Sequence, residues 1–366
     1  MAEERAGLMP SRWLGVWAPL PPTAWLRRPL ERPPFPLMDS RCRLYPRGRH
    51  AVWHGLRALG IGPGDELLAP AYHAGSDIEA MRRVGVSCAF YGAGKLLAPD
   101  PTELDSLMSS STKCLYLVHY NGFPQDAARW RRWCDERGLL LVEDAAQSWL
   151  THVDGHPIGS LGDLAFFSIY KMVATPDGCA AVCVAPLPAV GRSRRAGIGR
   201  LAHLHGAWLG QWLGWIGSIR LRFARPFDAE AYDALGDPNA PLSAATAHLL
   251  TRLAGDWVAR GRRSNYRRLL RDLGRHVPAP FDHVPDGASP WYFPVETDDK
   301  QGFLRHLAKS GVSGMDVWSV PHPSLPAEGF PEIRRRRART VALPVHHELS
   351  ESDLDRIVDA GGTWLR

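Results

Sequence analysis

The sequence predicts an α/β fold in which a mostly parallel sheet lies between helices, with a smaller α+β unit at the C-terminal side. From Arg49 onward, helix-like and strand-like segments alternate regularly, and successive strand–helix units give parallel strands covered on both faces. With 366 residues, the chain can bury one large and one smaller core. We therefore expect an N-terminal arm at 1–44, a large domain at 45–240 and a small C-terminal domain at 241–366.

The elements follow from apolar periodicity and from glycines that end helices. In the large domain we predict helices at His50–Leu59, Asp77–Arg83, Thr102–Met108 and Ala127–Arg137, and strands at Glu66–Ala69, Ser87–Phe90, Cys114–Val118, Leu139–Val142 and Leu164–Phe167. In the small domain we predict helices at Ala244–Leu273, Gln301–Lys309 and Ser350–Ala360, and a strand at Trp291–Val295.

The first 36 residues are rich in tryptophan, proline and arginine, and they lack the pattern of a signal peptide, since Glu3 and Glu4 stand where positive charge is needed. The prolines predict an extended arm. Its tryptophans, Trp13, Trp17 and Trp25, need a surface to cover, which a partner subunit or the C-terminal domain would provide.

Residues 190–240 form a Trp-rich insertion in the large domain. Leu204, Trp208, Trp212, Trp215 and Ile219 recur at helical spacing, and the segment is too polar for a membrane span. We favour an amphipathic helix that packs within the fold or a dimer. Docking to a membrane surface or a carrier protein is the alternative, because Trp on one face with flanking Arg is also typical of interfacial helices.

The amino-acid composition narrows the classes of ligand that the protein is expected to bind. Hydrophobic residues make up 45% and charged residues 22%, with a net charge of +6 and a pI near 9.1. This mild basicity suits anionic small molecules, but it is too diffuse for nucleic acid, and no zinc-finger or RNP-type motif is present. The run from Arg334 to Arg337, with Arg339, is predicted to be a solvated loop, and a site for an anionic substrate is the alternative.

Cysteine and histidine patterns argue against metal and disulfide chemistry. The six cysteines are scattered without a CxxC pair, which favours core packing in a reducing cytoplasm. No HExxH motif occurs, and the side chains of His346 and His347 would point to opposite faces of a strand. We predict no metal site.

The most informative stretch runs from Leu139 to Val184. One apolar strand ends at Glu143 and Asp144, and the next ends at Ser168, shortly before Lys171. Parallel strands deliver their carboxyl ends to one crevice. A lysine amine there can form an imine with the aldehyde of pyridoxal phosphate, and a buried aspartate can keep the cofactor's ring nitrogen protonated. Lys171 and Asp144 are the candidates for these two roles.

Several ordered motifs in this region and beyond it resemble the DegT/DnrJ/EryC1/StrS family of sugar aminotransferase-like enzymes. They are VEDAAQ at 142–147, GSLGDLAFFS at 159–168, PDGCAAV at 176–182, RALGIGPGDELLAPAY at 57–72, LVHYNG at 117–122 and ALPVHHELSESDLDRIVDA at 342–360. Several motifs in the right order are far more specific than any one of them. The resemblance implies a fold-type-I enzyme that depends on pyridoxal phosphate.

The resemblance also implies a role for individual residues. Asp144 corresponds to the partner of the ring nitrogen, Gln147 to the residue that hydrogen-bonds the ring oxygen, and Lys171 to the imine-forming lysine. Ser168 corresponds to a phosphate ligand, and Asn239 to an asparagine that a partner subunit offers to the same phosphate.

Three departures indicate a divergent member. The family's Ser-Gly-Thr phosphate turn is Arg47-Gly48-Arg49 here, and arginine suits phosphate through bidentate hydrogen bonds. The helix that starts there offers its N-terminal amides as well. For the ring that stacks on the cofactor we predict His73, with Tyr72 second. Only two residues separate Ser168 from Lys171, fewer than in the family, which requires a rearranged turn.

The predicted function is amino-group transfer from an amino acid such as glutamate to a keto sugar, which the resemblance implies to be nucleotide-linked. The resemblance further implies a homodimer with shared active sites, in a biosynthetic pathway. Two alternatives stay open: another pyridoxal phosphate reaction (dehydration, decarboxylation or carbon–carbon bond formation), or a non-catalytic scaffold.

Overall fold

The computed structural model of the protein describes residues 13–212, 234–326 and 328–366. Within these ranges the α-helices are α1 (Gly48–Ala58), α2 (Ser76–Val84), α3 (Pro101–Leu107), α4 (Ala127–Asp135), α5 (Ile169–Met172), α6 (Ile198–Trp212), α7 (Ala244–Leu253), α8 (Asp256–Leu273), α9 (Lys300–Lys309), α10 (Pro331–Arg339) and α11 (Glu351–Leu365).

The strands are β1 (Leu14–Gly15), β2 (Arg43–Tyr45), β3 (Glu66–Pro70), β4 (Ser87–Tyr91), β5 (Thr112–Val118), β6 (Leu140–Asp144), β7 (His152–Val153), β8 (His156–Pro157), β9 (Leu164–Ser168), β10 (Cys179–Cys183), β11 (Arg192–Ser193), β12 (Leu242–Ser243), β13 (Phe293–Glu296), β14 (Val312–Ser313), β15 (Met315–Asp316) and β16 (Thr340–Leu343).

A seven-stranded sheet organises the molecule. Its order is β2-β10-β9-β6-β5-β3-β4, in which β9, β6, β5, β3 and β4 are parallel and β10 runs antiparallel to both of its neighbours. The predicted mostly parallel α/β sheet is therefore confirmed. Because β6 and β9 are adjacent and parallel, Asp144 and Ser168 leave the sheet at the same edge.

The C-terminal part contains a three-stranded antiparallel sheet, ordered β13-β16-β15, together with α8, α9 and α11. Its last helix begins as predicted, since Ser350 and Asp353 form a reciprocal capping box at the start of α11. The domain boundaries that we drew at residues 44 and 240 remain predictions.

Two element predictions for this part were wrong in detail. The single helix expected over Ala244–Leu273 is two helices, α7 and α8, because Gly255 adopts an extended conformation between them. The strand expected at Trp291 starts only at Phe293. Trp291 instead lies in the segment that leads into the sheet.

The arginine run was also predicted wrongly, since it forms helix α10 with two of its guanidinium groups buried. Arg336 donates to the carbonyl oxygens of Lys95 and Ala279, and Arg337 donates to those of Ala71, His73 and Trp318. These arginines fix loops of the two halves of the molecule to each other.

The arm packs on its own chain. Leu14 and Gly15 pair in parallel with Val312 and Ser313. The indole of Trp25 donates to His205 of α6, and the indole of Trp149 donates to the carbonyl oxygen of Phe35. The arm therefore contacts elements on both sides of the crevice.

In the Trp-rich insertion, α6 follows the short strand β11 and confirms the helical spacing as far as Trp212. The predicted positions Trp215 and Ile219 lie outside the described residues. Among the described helices, none has the length and apolar character needed to cross a membrane. All six cysteines are free, and Cys114, Cys134, Cys179 and Cys183 are buried in the core.

Candidate active site

Asp144 ends β6 at the crevice with both carboxylate oxygens engaged. Its Oδ1 accepts a hydrogen bond from the amide of Ala146 at 2.9 Å, and its Oδ2 accepts one from the Tyr116 hydroxyl at 3.0 Å. The His73 Nε2 atom lies 3.5 Å from the same Oδ2. Asp144 is only 4% exposed. A buried carboxylate thus faces the centre of the site.

A second carboxylate lies beside it. The Oδ2 of Asp77, in the first turn of α2, is 3.7 Å from His73 Nε2 and accepts a weaker hydrogen bond from Tyr116 at 3.3 Å. Burial and the charge of Asp144 raise the pKa of Asp77. For Asp144, burial opposes ionisation, but contacts with His73, the Ala146 amide and the Lys171 charge outweigh it and lower the pKa. Asp144 therefore holds its negative charge more readily than Asp77.

His73, Asp77 and Asp144 place one ligand atom each within 4.8 Å of one another, a set that could in principle hold a divalent cation. The tautomer of His73 opposes this. Its Nδ1 accepts a hydrogen bond from the Gly75 amide, so in the neutral ring the proton sits on Nε2 and points at the carboxylates. A metal ligand needs an unprotonated Nε2.

Lys171 lies in the four-residue helix α5, which directly follows β9. Its Nζ atom is 4.9 Å from the centre of the Trp291 ring. Its charge is close enough to lower the pKa of both Asp144 and Asp77. The predicted lysine and aspartate therefore lie close enough to interact electrostatically, although Asp144 is on β6 and Lys171 is on α5.

The N-terminus of α1 meets the end of β9. A Cβ atom at Gly48 would lie 3.4 Å from Ser168 Oγ, so the first turn of α1 packs closely against this hydroxyl, a junction that we call the cradle. Arg47 lies over the Tyr170 ring at 5.3 Å, and Arg49 acts on the pKa of Asp77. The shortened turn thus still brings Ser168 beside the Arg47-Gly48-Arg49 segment, an arrangement suited to a phosphate.

The other predicted residues lie around this centre. The Gln147 Oε1 atom accepts a hydrogen bond from the Asn121 amide, and Gln147 is buried. Tyr72 packs against Trp318 at 4.8 Å and under Arg337 at 5.4 Å, on the side of the three-stranded sheet. Asn239 is exposed, in a segment that is attached to α1 through a contact between His54 Nε2 and the Pro238 carbonyl.

Glu143, next to Asp144, has a structural task. Its buried carboxylate accepts hydrogen bonds from the amides of Gly159, Leu161 and Gly162, and it contacts His119 Nε2 at 3.0 Å. Glu143 therefore links His119 to the loop that precedes β9. Its hydrogen bonds fix this loop against β6, the strand that carries Asp144.

Sequence reasoning missed Asp77, Tyr116 and Trp291 as members of the site. Tyr116 looked like a core residue of a strand, and Asp77 looked like the first residue of a helix. Asp77 carried one usable signal, because it lies four residues after His73 on the segment that follows β3. Trp291 carried none, since its place depends on contacts between segments far apart in sequence.

Comparisons with known proteins point to one group. Residues 46–186 match the model of the DegT/DnrJ/EryC1/StrS aminotransferase family. The chain is 27% identical over 341 residues to the erythromycin biosynthesis sensory transduction protein EryC1 of Saccharopolyspora erythraea, covering 87% of this chain and 84% of that protein. It is 28% identical over 346 residues to the dTDP-3-amino-3,4,6-trideoxy-alpha-D-glucose transaminase of Streptomyces venezuelae, covering 87% and 81%.

Solved structures share the fold. The structure of Streptomyces venezuelae DesV in complex with a ketimine intermediate aligns with a TM-score of 0.63 at 23% identity, covering 88% of this chain and 84% of that one. A putative sugar aminotransferase of Streptococcus pneumoniae in its PLP form aligns with a TM-score of 0.64 at 16% identity, covering 95% and 92%.

Proposed function

We propose that this chain, which matches the DegT/DnrJ/EryC1/StrS aminotransferase family over residues 46–186 and has the fold-type-I architecture, uses pyridoxal phosphate to transfer an amino group from an amino acid to a nucleotide-linked keto sugar. One observation carries the proposal. An ionised, buried Asp144 and the amine of Lys171 meet at one sheet edge, beside the cradle formed by Gly48 and Ser168.

Residues of the site match the chemistry of both the ring nitrogen and the phosphate of the cofactor. Pyridoxal phosphate, when bound, supplies an electron-accepting ring that stabilises negative charge on the carbon that bears the amino group. Asp144 would hold the ring nitrogen, since a carboxylate with a lowered pKa favours a protonated partner through opposite charge. Arg47, Arg49 and the amides that begin α1 would hold the phosphate.

Lys171 would perform two tasks. Its Nζ atom would bind the cofactor covalently, and after displacement by the amino donor it would take a proton from the substrate carbon and return one. Its position, partly exposed and close to Asp144, suits both tasks. Asp77 and Asp144, whose pKa values respond to the charge of Lys171, are both buried.

The relatives support the substrate class. Besides the transaminase from Streptomyces venezuelae, they include proteins named for amino transfer to dTDP-, UDP- and GDP-linked sugars. The net charge of +6 is consistent with an anionic nucleotide substrate.

We also propose a homodimer in which Asn239 of each chain reaches the phosphate bound by the other. Support comes from its exposure and from the attachment of its segment to α1, whose N-terminus faces the phosphate cradle. If Asn239→Ala leaves the affinity for the cofactor unchanged, this role is wrong.

The test is the visible absorption spectrum of the protein with added pyridoxal phosphate, for the wild type, Lys171→Ala and the control Lys113→Ala, whose side chain is exposed. We expect a cofactor band that borohydride bleaches in the wild type and the control, with the label on the Lys171 peptide. Absence of the band in all three proteins would overturn the proposal and favour a scaffold.

A second step separates amino transfer from the other reactions of this cofactor. Addition of glutamate or another amino donor should convert the band to that of pyridoxamine phosphate and release one keto acid per site. Turnover of amino acids without pyridoxamine phosphate would instead indicate dehydration, decarboxylation or bond formation.

A further inference from the structure

The ring of Trp291 forms a platform for Lys171. The Nζ atom lies 4.9 Å from the ring centre, within the range in which an ammonium group is attracted by an aromatic face. Trp291 is only 5% exposed. Its ring is supported edge-on by Trp17 of the arm at 6.0 Å and by Tyr292 at 5.2 Å. A ring packed on two sides cannot easily move away from the amine.

Arg262 of α8 connects the backbones on both sides of this contact. Its Nη2 donates to the carbonyl oxygen of Met172, next to Lys171, at 2.8 Å. Its Nη1 donates to the carbonyl oxygens of Pro290 at 3.1 Å and Trp291 at 2.9 Å. The side chain is fully buried, and burial lowers its pKa to about 9.

Arg262, like Arg336 and Arg337, is a buried arginine that donates to backbone carbonyls, but its acceptors lie next to Lys171 and at Trp291. A buried cation costs free energy unless it is paired, and the partners that Arg262 has here are backbone carbonyls. These carbonyls belong to Met172, which follows Lys171 in the chain, and to Trp291 and the residue before it. The rigid fork of the guanidinium fixes the distance between the two segments.

We propose that Trp291 and Arg262 are positioning residues for the Lys171 amine, with Trp291 holding the ammonium against its face and Arg262 fixing the two backbones. This inference rests on the proposed role of Lys171. The short helix α5 makes such bracing necessary, because four residues provide little helical structure to orient a side chain.

Other charges also act on the amine. Asp144 on β6 and Asp77 on α2 favour its ammonium form, and Arg49 on α1 partly compensates the charge of Asp77. The guanidinium of Arg262 on α8, bonded to the carbonyl next to Lys171, opposes the ammonium form. The ring of Trp291 also favours the ammonium form, and it acts from a different side of the amine than the carboxylates. Removal of the ring should therefore lower the pKa of Lys171 while the carboxylates remain.

The test measures Lys171 without any cofactor. Competitive acetylation of amines by acetic anhydride at a series of pH values, read by mass spectrometry of the Lys171 peptide, gives the pH midpoint of its reactivity. Lys113, which is exposed, serves as the internal reference in each protein. The variants are Trp291→Leu, Trp291→Phe, Arg262→Met and Arg262→Lys. Arg263 is the matched control, because it donates to the Ala288 carbonyl but makes no described bond to α5.

We expect Trp291→Leu to lower the midpoint by about 0.5 to 1 pH unit, since a cation–π contact of this kind is worth that much. Trp291→Phe keeps a ring face and should recover more than half of the shift. Arg262→Lys keeps the positive charge but lacks the planar fork, so its midpoint should fall in the same direction. Arg262→Met also removes a cation near the amine, which by itself favours the ammonium form, so its midpoint should lie above that of Arg262→Lys. Arg263→Met should leave the midpoint unchanged.

A midpoint that stays constant or rises in Trp291→Leu would overturn the role of Trp291. An unchanged midpoint in Arg262→Lys would overturn that of Arg262. If a substitution only loosened the packing, it would lower the stability of the protein but would not lower the acetylation midpoint of Lys171 specifically. The measurement also separates two failures, because lack of cofactor binding to Lys171 would refute the proposed function and leave the acetylation result intact.

Discussion

The backbone of Gly122 lies directly against the carbonyl group of Ser289, so closely that a Cβ atom at position 122 would overlap the Ser289 oxygen. One residue away, the side chain of Asn121 exchanges two hydrogen bonds with the backbone of Tyr292, each of 2.9 Å. The turn after β5 is thereby joined to the segment that carries Trp291.

This contact predicts that Gly122→Ala is strongly destabilising. The alanine would meet both a positive φ of 81° and the Ser289 backbone, so we expect a loss of about 3 kcal/mol or more in the free energy of unfolding. The control is Gly64→Ala, where φ is 94° but nothing lies within 4 Å, and it should cost only about 1 kcal/mol. Urea denaturation gives both values, and equal losses would contradict the overlap.

Glu143→Gln should also destabilise the fold. The buried carboxylate is surrounded by amide donors and His119, and these contacts hold its pKa below the usual range despite burial. A neutral amide would turn its own N–H groups toward those donors, so we expect a loss of about 3 kcal/mol at pH 7. The difference should shrink as the pH falls below 4.5. Ser160→Ala, at an exposed site in the same loop, is the control, and a similar loss there would refute this account.

His50 predicts a dependence of stability on pH. Burial, opposed by a contact with the Leu235 carbonyl, lowers its pKa to about 4. Between pH 6.5 and 4 the unfolded chain therefore binds more protons than the folded one, and stability falls as the pH falls. Over this range the wild type should lose about 2 kcal/mol more than His50→Gln. The exposed His283→Gln should behave like the wild type in urea titrations at each pH.

Ser168→Ala should weaken binding of the cofactor phosphate. Loss of one hydrogen bond to a charged group corresponds to about a tenfold decrease in affinity, measured by titration of the visible band. Ser106, which is exposed on α3, provides the control substitution. An unchanged affinity in Ser168→Ala would mean that the hydroxyl next to Gly48 does not reach the phosphate.

Asp144→Asn should separate attachment of the cofactor from its chemistry. The amide cannot favour a protonated ring nitrogen by charge, so conversion by the amino donor should slow by about 100-fold or more. Borohydride should still fix the cofactor on Lys171. Retention of the wild-type rate in stopped-flow measurements would remove Asp144 from its proposed role.

The part of the site that local sequence determines was predictable. Asp144, Ser168 and Lys171 follow apolar runs that could be recognised as strands, and parallel strands bring such ends together. The parts that were missed depend on remote contacts. The arginines at 336 and 337 looked like solvated charges, because their carbonyl acceptors come from loops up to 266 residues away. Gly255 did signal the break between α7 and α8, but glycine within a helical pattern is often tolerated.

The pairing of the arm with β14 also limits motion. Enzymes often open and close a crevice by rotating two bodies about a few hinge residues. Here residues 14 and 15 are hydrogen-bonded beside the three-stranded sheet, while Phe35 is bonded to Trp149 at the seven-stranded sheet. A rotation that widened the crevice would have to break one of these anchors or the contacts between them, such as the bond from the Leu30 amide to the Thr251 carbonyl and the bond from Trp25 to His205. The arm thus resists opening of the crevice through which a substrate would enter.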